Sequence, residues 1–239
     1  MAVVRAWQRS LTAVVPHQAN NRLYVPKRRF SGTPLPSLLL EGDSWVNFGS
    51  AGTAPSVSLP YNFVRDWPAC AVTNNAASGA FLLGATGTAQ QLIDAIGAAS
   101  PGQYSGIVWN GGVNDMAQNN ATLANLQTAF VNGMTAALGH TDNVVWLTTA
   151  CMQGSPYWLN SVHYPGINTT RADFDAYCID WIGTNGGKVF YTNAEVCTGL
   201  DYVMRPYYWS NPPGQIDPGH PSTQGYNAIA RRLYRILTE

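Results

Sequence analysis

The sequence predicts an α/β protein, a three-layer α/β/α sandwich built around a central parallel sheet, and three observations carry that expectation. From residue 35 onward, short apolar runs rich in Val, Leu and Ile alternate with longer amphipathic segments, the pattern of strands joined by crossover helices. The short runs do not alternate with polar residues, so both faces of the sheet must be covered, as in a helix-flanked parallel sheet. The chain has 239 residues, of which 46% are apolar, enough to close one sizeable core.

The elements follow in order. Ser37–Glu41, Ala71–Asn74, Gly106–Trp109, Val144–Thr148 and Lys188–Tyr191 are the expected strands, each a compact apolar run bounded by turn residues. Between them, helices are expected over Thr88–Ala99, Thr122–Leu138 and Arg171–Thr184, each ending at or near glycine. The last helix is the plainest. Pro221 suits its first turn, and Tyr226, Ile229, Ala230, Leu233 and Leu237 recur at helical spacing, with Arg231, Arg232 and Arg235 on the other faces. This places His220 on the loop before it. No internal repeat is visible.

Composition narrows the function. Charged residues make up 11% of the chain, with thirteen Lys plus Arg against thirteen Asp plus Glu, so no nucleic-acid surface is expected. No apolar run approaches the ~20 residues that span a bilayer, so no membrane span is expected either. Cys70, Cys151, Cys178 and Cys197 are widely spaced, with no Cys-x-x-Cys and no paired histidines, which argues against a metal site. They fit isolated buried thiols as well as one or two disulfides, of which Cys178 to Cys197 is the shortest closure.

Residues 1–34 read as a basic N-terminal arm on a domain spanning 35–239. Arg5, Arg9, Arg22, Lys27, Arg28 and Arg29 all precede the first acid, Glu41. Gln8, Arg9 and Ser10 interrupt what would be the apolar stretch of a secretory signal, so no clear signal peptide is present. The preferred reading is an arm that packs on its own domain or on a neighbouring subunit, in a homo-oligomer or a larger assembly; targeting and nucleic-acid contact are the alternatives. An extracellular or virion-associated setting, such as a phage tail, suits that composition.

Ligands of open α/β sheets bind beyond the carboxyl ends of the strands, so the residues just after each strand carry the functional argument. The first strand runs into Gly42-Asp43-Ser44-Trp45, the second into Asn74-Asn75-Ala76-Ala77-Ser78-Gly79, and the third into Gly111-Gly112-Val113-Asn114-Asp115. Each alone reads as loop chemistry. Asp217-Pro218-Gly219-His220-Pro221 changes that, because His220 has an acid three residues upstream and sits just before a helix. A serine hydroxyl needs an adjacent base to become a nucleophile, and the base needs a third group to hold its tautomer. Attack on a carbonyl also creates an alkoxide that must meet preorganised donors, for which the N–H groups of Ser44 and Gly79 and the amide of Asn114 are the candidates.

These four blocks, in this order, resemble those of the SGNH, or GDSL-type, hydrolase superfamily. The matches are Gly42-Asp43-Ser44, Asn74-x-Ala76-x-Ser78-Gly79, Gly112-x-Asn114-Asp115 and Asp217-x-x-His220-Pro221, and the resemblance runs from Leu38 to the C-terminus. It implies a flavodoxin-like fold, Ser44 as nucleophile, Gly79 and Asn114 completing the oxyanion hole with the Ser44 N–H, His220 as base and Asp217 as its orienting acid. It implies no cofactor. The chain departs from the common pattern at Trp45, where Leu or Ile is usual, and at Ala76, where glycine is commoner. Trp45 reads equally as a core residue and as a wall of the acyl pocket.

Other constellations point less far. No serine lies in a Gly-x-Ser-x-Gly elbow, and Gly84-x-x-Gly87 lacks the Lys-Ser or Lys-Thr of a phosphate loop. Asp43 and Asp115 could form a glycosidase carboxylate pair, but bracing their own turns is the simpler reading. His17, His140 and His163 read as structural, and Asp173 and Asp175, two apart on a helix, as solvated on different faces.

The segments before the histidine loop hold Tyr157, Trp158, Tyr164, Tyr202, Tyr207, Tyr208 and Trp209. Rings with few charges suit sugar faces, which makes Tyr157, Trp158 and Trp209, with Trp45, the substrate-binding candidates; a loop-rich flank or an oligomer contact explains the same rings. The expected function is therefore a serine ester hydrolase working through an acyl-enzyme, with an O-acetyl or other short acyl ester of a carbohydrate as favoured substrate. A short-chain lipid or aryl esterase is the alternative enzyme. A catalytically idle carbohydrate-binding or virion-assembly module is the alternative of another class.

Overall fold

In a computed structural model, residues 35–47, 58–148, 166–192, 197–198, 203–204, 220–221 and 223–239 are described; the N-terminal arm lies outside them. Five strands form one sheet: β1 (Ser37–Glu41), β2 (Ala71–Asn74), β3 (Gly106–Trp109), β4 (Val144–Leu147) and β5 (Lys188–Phe190). All pairings are parallel and the strand order is β2-β1-β3-β4-β5. The chain steps to one side of β1 to lay down β2, then to the other for β3 onward. The connections after β1 and β3 therefore diverge, and the carboxyl ends of these two strands flank the crevice where sheets of this order bind ligands.

Both faces of the sheet are covered. Leu38, Leu39 and Leu40 are consecutive and wholly buried, as are Ile107, Val108 and Trp109 in β3. On one side α2 (Thr88–Ala98) packs on α4 (Leu123–His140), and α4 on α5 (Gly166–Asn185). On the other, α1 (Leu59–Asp66) packs on α6 (Thr223–Thr238). The helices begin where local chemistry starts them: the Ser58 hydroxyl accepts the Tyr61 N–H before α1, and that of Thr122 the Asn125 N–H before α4. Trp109, Phe130, Trp146 and Phe174 meet edge to face or stacked between the sheet and its helices. Gly133 lets α4 approach this cluster, since a Cβ there would lie 2.3 Å from the Trp109 ring.

Several expectations change. Val113–Asn119 is not loop but a short helix, α3, opened by Gly112 at φ 100°. Helix α5 starts five residues earlier than the periodicity suggested, at Gly166. Asp173 is exposed, but Asp175 is buried beside Arg171, whose guanidinium lies 3.0 Å from its carboxylate. Cys178 is a free, buried thiol, as is Cys70, which decides against closure of Cys178 on Cys197. His140 is structural: its Nε2 accepts the Tyr104 N–H at 3.2 Å. A two-stranded antiparallel pair, β6 (Cys197–Thr198) and β7 (Val203–Met204), completes the described elements.

Candidate active site

The turn after β1 is closed by its own polar groups. The Asp43 carbonyl accepts the N–H groups of Val46 at 3.0 Å and Asn47 at 3.1 Å, which winds residues 43–47 into a single helical turn. The Asp43 carboxylate accepts the Trp45 N–H at 2.9 Å, capping that turn. Asn110, just beyond β3, grips the same aspartate twice: its Oδ1 accepts the Asp43 N–H at 3.1 Å and its Nδ2 donates to Asp43 Oδ1 at 3.0 Å. Gly42 makes this approach possible, because its φ is 144° and a Cβ there would lie 1.9 Å from Asn110 Oδ1.

These bonds aim Ser44. In a trans peptide the N–H points opposite to the C=O, so turning the Asp43 carbonyl down the turn axis directs the Ser44 N–H out of its N-terminal end. That end lies at the carboxyl end of β1, beside the β1–β3 crevice. The Ser44 carbonyl in turn accepts the hydroxyl of Tyr226, from α6.

Ser44 and His220 meet there. Ser44 is 4% exposed, and its Oγ lies 2.7 Å from His220 Nε2, across 176 residues of sequence. For the hydroxyl to donate to Nε2, the imidazole must carry its proton on Nδ1, the edge that the resemblance gives to Asp217. Asp217 lies outside the described residues, as do Tyr157, Trp158 and Trp209. Trp45 is 2% exposed and belongs to the core. The turn that carries Ser44 packs the next side chain into the core, which agrees with the core reading of Trp45.

The other two candidate donors follow β2 and β3. Asn114, in the first turn of α3, is 6% exposed; its Nδ2 donates to the Ala80 carbonyl at 2.9 Å and its Oδ1 accepts from Gln118 Nε2 at 3.3 Å. The amide plane is thereby fixed against the loop that carries Gly79. Asp115 holds that loop more firmly, its two carboxylate oxygens accepting the N–H groups of Leu82 at 2.6 Å and Leu83 at 3.0 Å. Gly79 lies exposed just before these anchors, with φ 79°. Asp43 and Asp115 are thus fully buried braces of a turn and a loop rather than a pair flanking a substrate.

Burial sets the electrostatics. It pushes the Asp43 and Asp115 carboxyls above their ordinary range; Trp45 N–H, Asn110 and the nearby His220 oppose the shift at Asp43, and the Leu82 and Leu83 N–H groups oppose it at Asp115. Glu41, wholly buried at the end of β1, is pushed up to about 7 by desolvation, against the pull of the Gly42 N–H and the Asn75 side chain. Sequence reasoning missed three residues of this site. Glu41 passed as a strand end, though an acid closing the run Leu38-Leu39-Leu40 was a visible signal. Asn110 passed as loop, and Tyr226 as core. Among the described residues no cluster of three or more His, Cys, Asp or Glu could hold a metal ion.

No protein-family model matches the chain, and neither does any curated protein sequence. Solved structures do match. A member of the lipolytic protein G-D-S-L family from Veillonella parvula is 14% identical with TM-score 0.57, over 82% of this chain and 94% of that one. A carbohydrate acetylesterase from Sinorhizobium meliloti is 11% identical with TM-score 0.61, over 83% and 96%. An inhibitor-bound aryl esterase of M. smegmatis is 13% identical with TM-score 0.60, over 83% and 96%. The architecture is thus that of a parallel α/β sandwich with a serine–imidazole pair at its switch point. More narrowly, the fold is the one these solved G-D-S-L-family lipolytic proteins and esterases share.

Proposed function

We propose that the protein is a carboxylic ester hydrolase in which Ser44 is the nucleophile and His220 the base, with Asp217 orienting the imidazole. The 2.7 Å contact between Ser44 Oγ and His220 Nε2 carries this reading. In the first half-reaction, Oγ attacks the ester carbonyl while Nε2 takes its proton. The resulting alkoxide is met by the N–H groups of Ser44 and Gly79 and the Asn114 amide. Collapse expels the alcohol, which receives the proton from the imidazolium, and leaves an acyl-Ser44. Water, deprotonated by the same nitrogen, then releases the carboxylic acid and restores the hydroxyl.

The favoured substrate is an O-acetyl or other short acyl ester of a carbohydrate. The ring-rich segments around Tyr157, Trp158 and Trp209 support it, and so does the likeness to a carbohydrate acetylesterase. The likeness to an aryl esterase keeps a short-chain lipid or aryl ester as the alternative. A fluorophosphonate label tests the chemistry: an adduct on Ser44 is expected in the wild-type chain, and none in Ser44→Ala or, at comparable rate, in His220→Ala. A folded wild-type protein that takes no label is a binding or assembly module instead. Acetylated sugars set against p-nitrophenyl esters of graded length then decide the substrate class.

A further inference from the structure

Tyr226 occupies a position where a phenylalanine would satisfy the core. It is wholly buried on α6, in the series with Ile229, Ala230, Leu233 and Leu237 that faces inward. A buried phenol must place its hydroxyl on a partner, and here the partner is the backbone carbonyl of Ser44, 182 residues away. The peptide that follows Ser44 is therefore held at both ends: its carbonyl takes the Tyr226 hydroxyl, and its N–H, that of Trp45, is taken by the Asp43 carboxylate. This fixes the backbone of Ser44, from which Cβ carries Oγ toward His220.

The same hydroxyl belongs to the first turn of α6, which begins at Thr223, three residues after His220. The imidazole and the nucleophile come from segments 176 residues apart in the sequence, and the Tyr226 bond ties those segments together beside their own contact.

We propose that Tyr226 is a positioning residue, whose hydroxyl sets the separation of Ser44 and His220 by joining the helix behind the histidine loop to the nucleophile's own peptide. The proposal rests on the reading of Ser44 and His220 as nucleophile and base. Proton transfer between them demands hydrogen-bond reach, and a misplacement of about 1 Å costs on the order of 10²-fold in rate. A ring without its oxygen would still fill the core while releasing that constraint.

The test compares two tyrosines of one helix. Tyr234, also on α6, stacks on Trp67 and lies near Leu35, at the opposite end of the sheet, where β1 begins. Tyr226→Phe is expected to lower kcat between about 10-fold and 100-fold with KM within about twofold of wild type, and to slow fluorophosphonate labelling of Ser44 in parallel. Tyr234→Phe is expected to leave kcat, KM and labelling unchanged. Tyr226→p-aminophenylalanine keeps a donor at the same place and is expected to restore turnover, which also carries the test should the phenylalanine variant fail to fold. Wild-type kcat and labelling in Tyr226→Phe, equal losses in both phenylalanine variants, or no recovery with the amino analogue overturns the proposal. A wild-type protein that does not label at Ser44 removes the nucleophile itself, and the role of Tyr226 with it.

Discussion

The turn after β1 and the loop after β2 carry the two backbone N–H groups proposed to meet the oxyanion, yet they are built in opposite ways. Gly42 through Val46 are all buried, and the turn is closed by Asp43, Asn110 and Tyr226. In the loop, Asn75, Ala77, Ser78 and Gly79 are exposed. The loop is pinned on either side of the glycine instead: Ala77 N–H to the Gly42 carbonyl before it, and Ala80, Leu82 and Leu83 to Asn114 and Asp115 after it. In the proposed reaction the difference would separate two requirements: Ser44, as nucleophile, must not move, whereas the far wall of the crevice must admit a substrate and still present a donor.

A single methyl group, added on each side, breaks this contrast most sharply on the turn. In Gly42→Ala the new Cβ would fall 1.9 Å from Asn110 Oδ1 in a left-handed conformation, so the Asn110–Asp43 grip must open. Strain and overpacking together should cost about 2–5 kcal/mol of stability, read as a lowered denaturation midpoint, with Ser44 labelling lost in whatever folds. A variant of wild-type stability that labels normally would show that the turn has slack. Next comes Asn114→Ala, which removes the proposed side-chain donor together with its tie to the Ala80 carbonyl. It should cost roughly 2.7–4 kcal/mol of transition-state stabilisation, about 10²- to 10³-fold in kcat, with little change in KM. A smaller loss would assign the oxyanion to the two backbone N–H groups alone.

The sequence foretold the turn better than it foretold what holds the turn. The strands were legible because triplets such as Leu38-Leu39-Leu40, bounded by turn residues, have few other solutions in a covered sheet. His220 was legible because an acid three residues upstream and a helix start downstream give it a local context. Helix α3 was not, since seven residues are too few to display a period and five of them are buried all round. Asn110 and Asp43 stand 67 residues apart, and no local pattern marks an amide that will close on a distant aspartate. Tyr226 was found for its ring and missed for its oxygen, because hydrophobic spacing is satisfied by the ring alone.

Glu41 joins the two regions, since its carboxylate accepts the Gly42 N–H at 3.2 Å and feels the Asn75 side chain of the loop. Burial holds it near 7 in the fold against 4.5 for the ordinary group. Between those values the unfolded chain is ionised while the folded chain keeps the proton. The folded state binds more protons, so stability falls as pH rises through this window and levels off above it. The full effect is about 3 kcal/mol, and buried Asp43 and Asp115 add slopes of the same sign. Glu41→Gln keeps an acceptor oxygen and cannot ionise. Urea unfolding from pH 5 to pH 8 should therefore show a shallower decline in the variant, which gains on wild type by up to about 3 kcal/mol at pH 8. Parallel profiles would mean that Glu41 ionises in the fold as readily as in the open chain.

The smallest effect is expected from the second methyl group. Gly79 shares with Gly42 a positive φ, here 79°, but no described atom lies within 4 Å of the place its Cβ would take. Gly79→Ala therefore meets only the backbone penalty of the left-handed region, about 1–2 kcal/mol, and the exposed loop can relieve part of it by turning the peptide. Turning that peptide moves the Gly79 N–H. Stability should then stay nearly unchanged while kcat falls, the reverse of what a brace would show, and Ser44 labelling should slow with it. If activity holds while stability drops by the whole penalty, the loop is as stiff as the turn. The donor at Gly79 would then owe its position to the Asn114 and Asp115 anchors and not to the absence of a side chain.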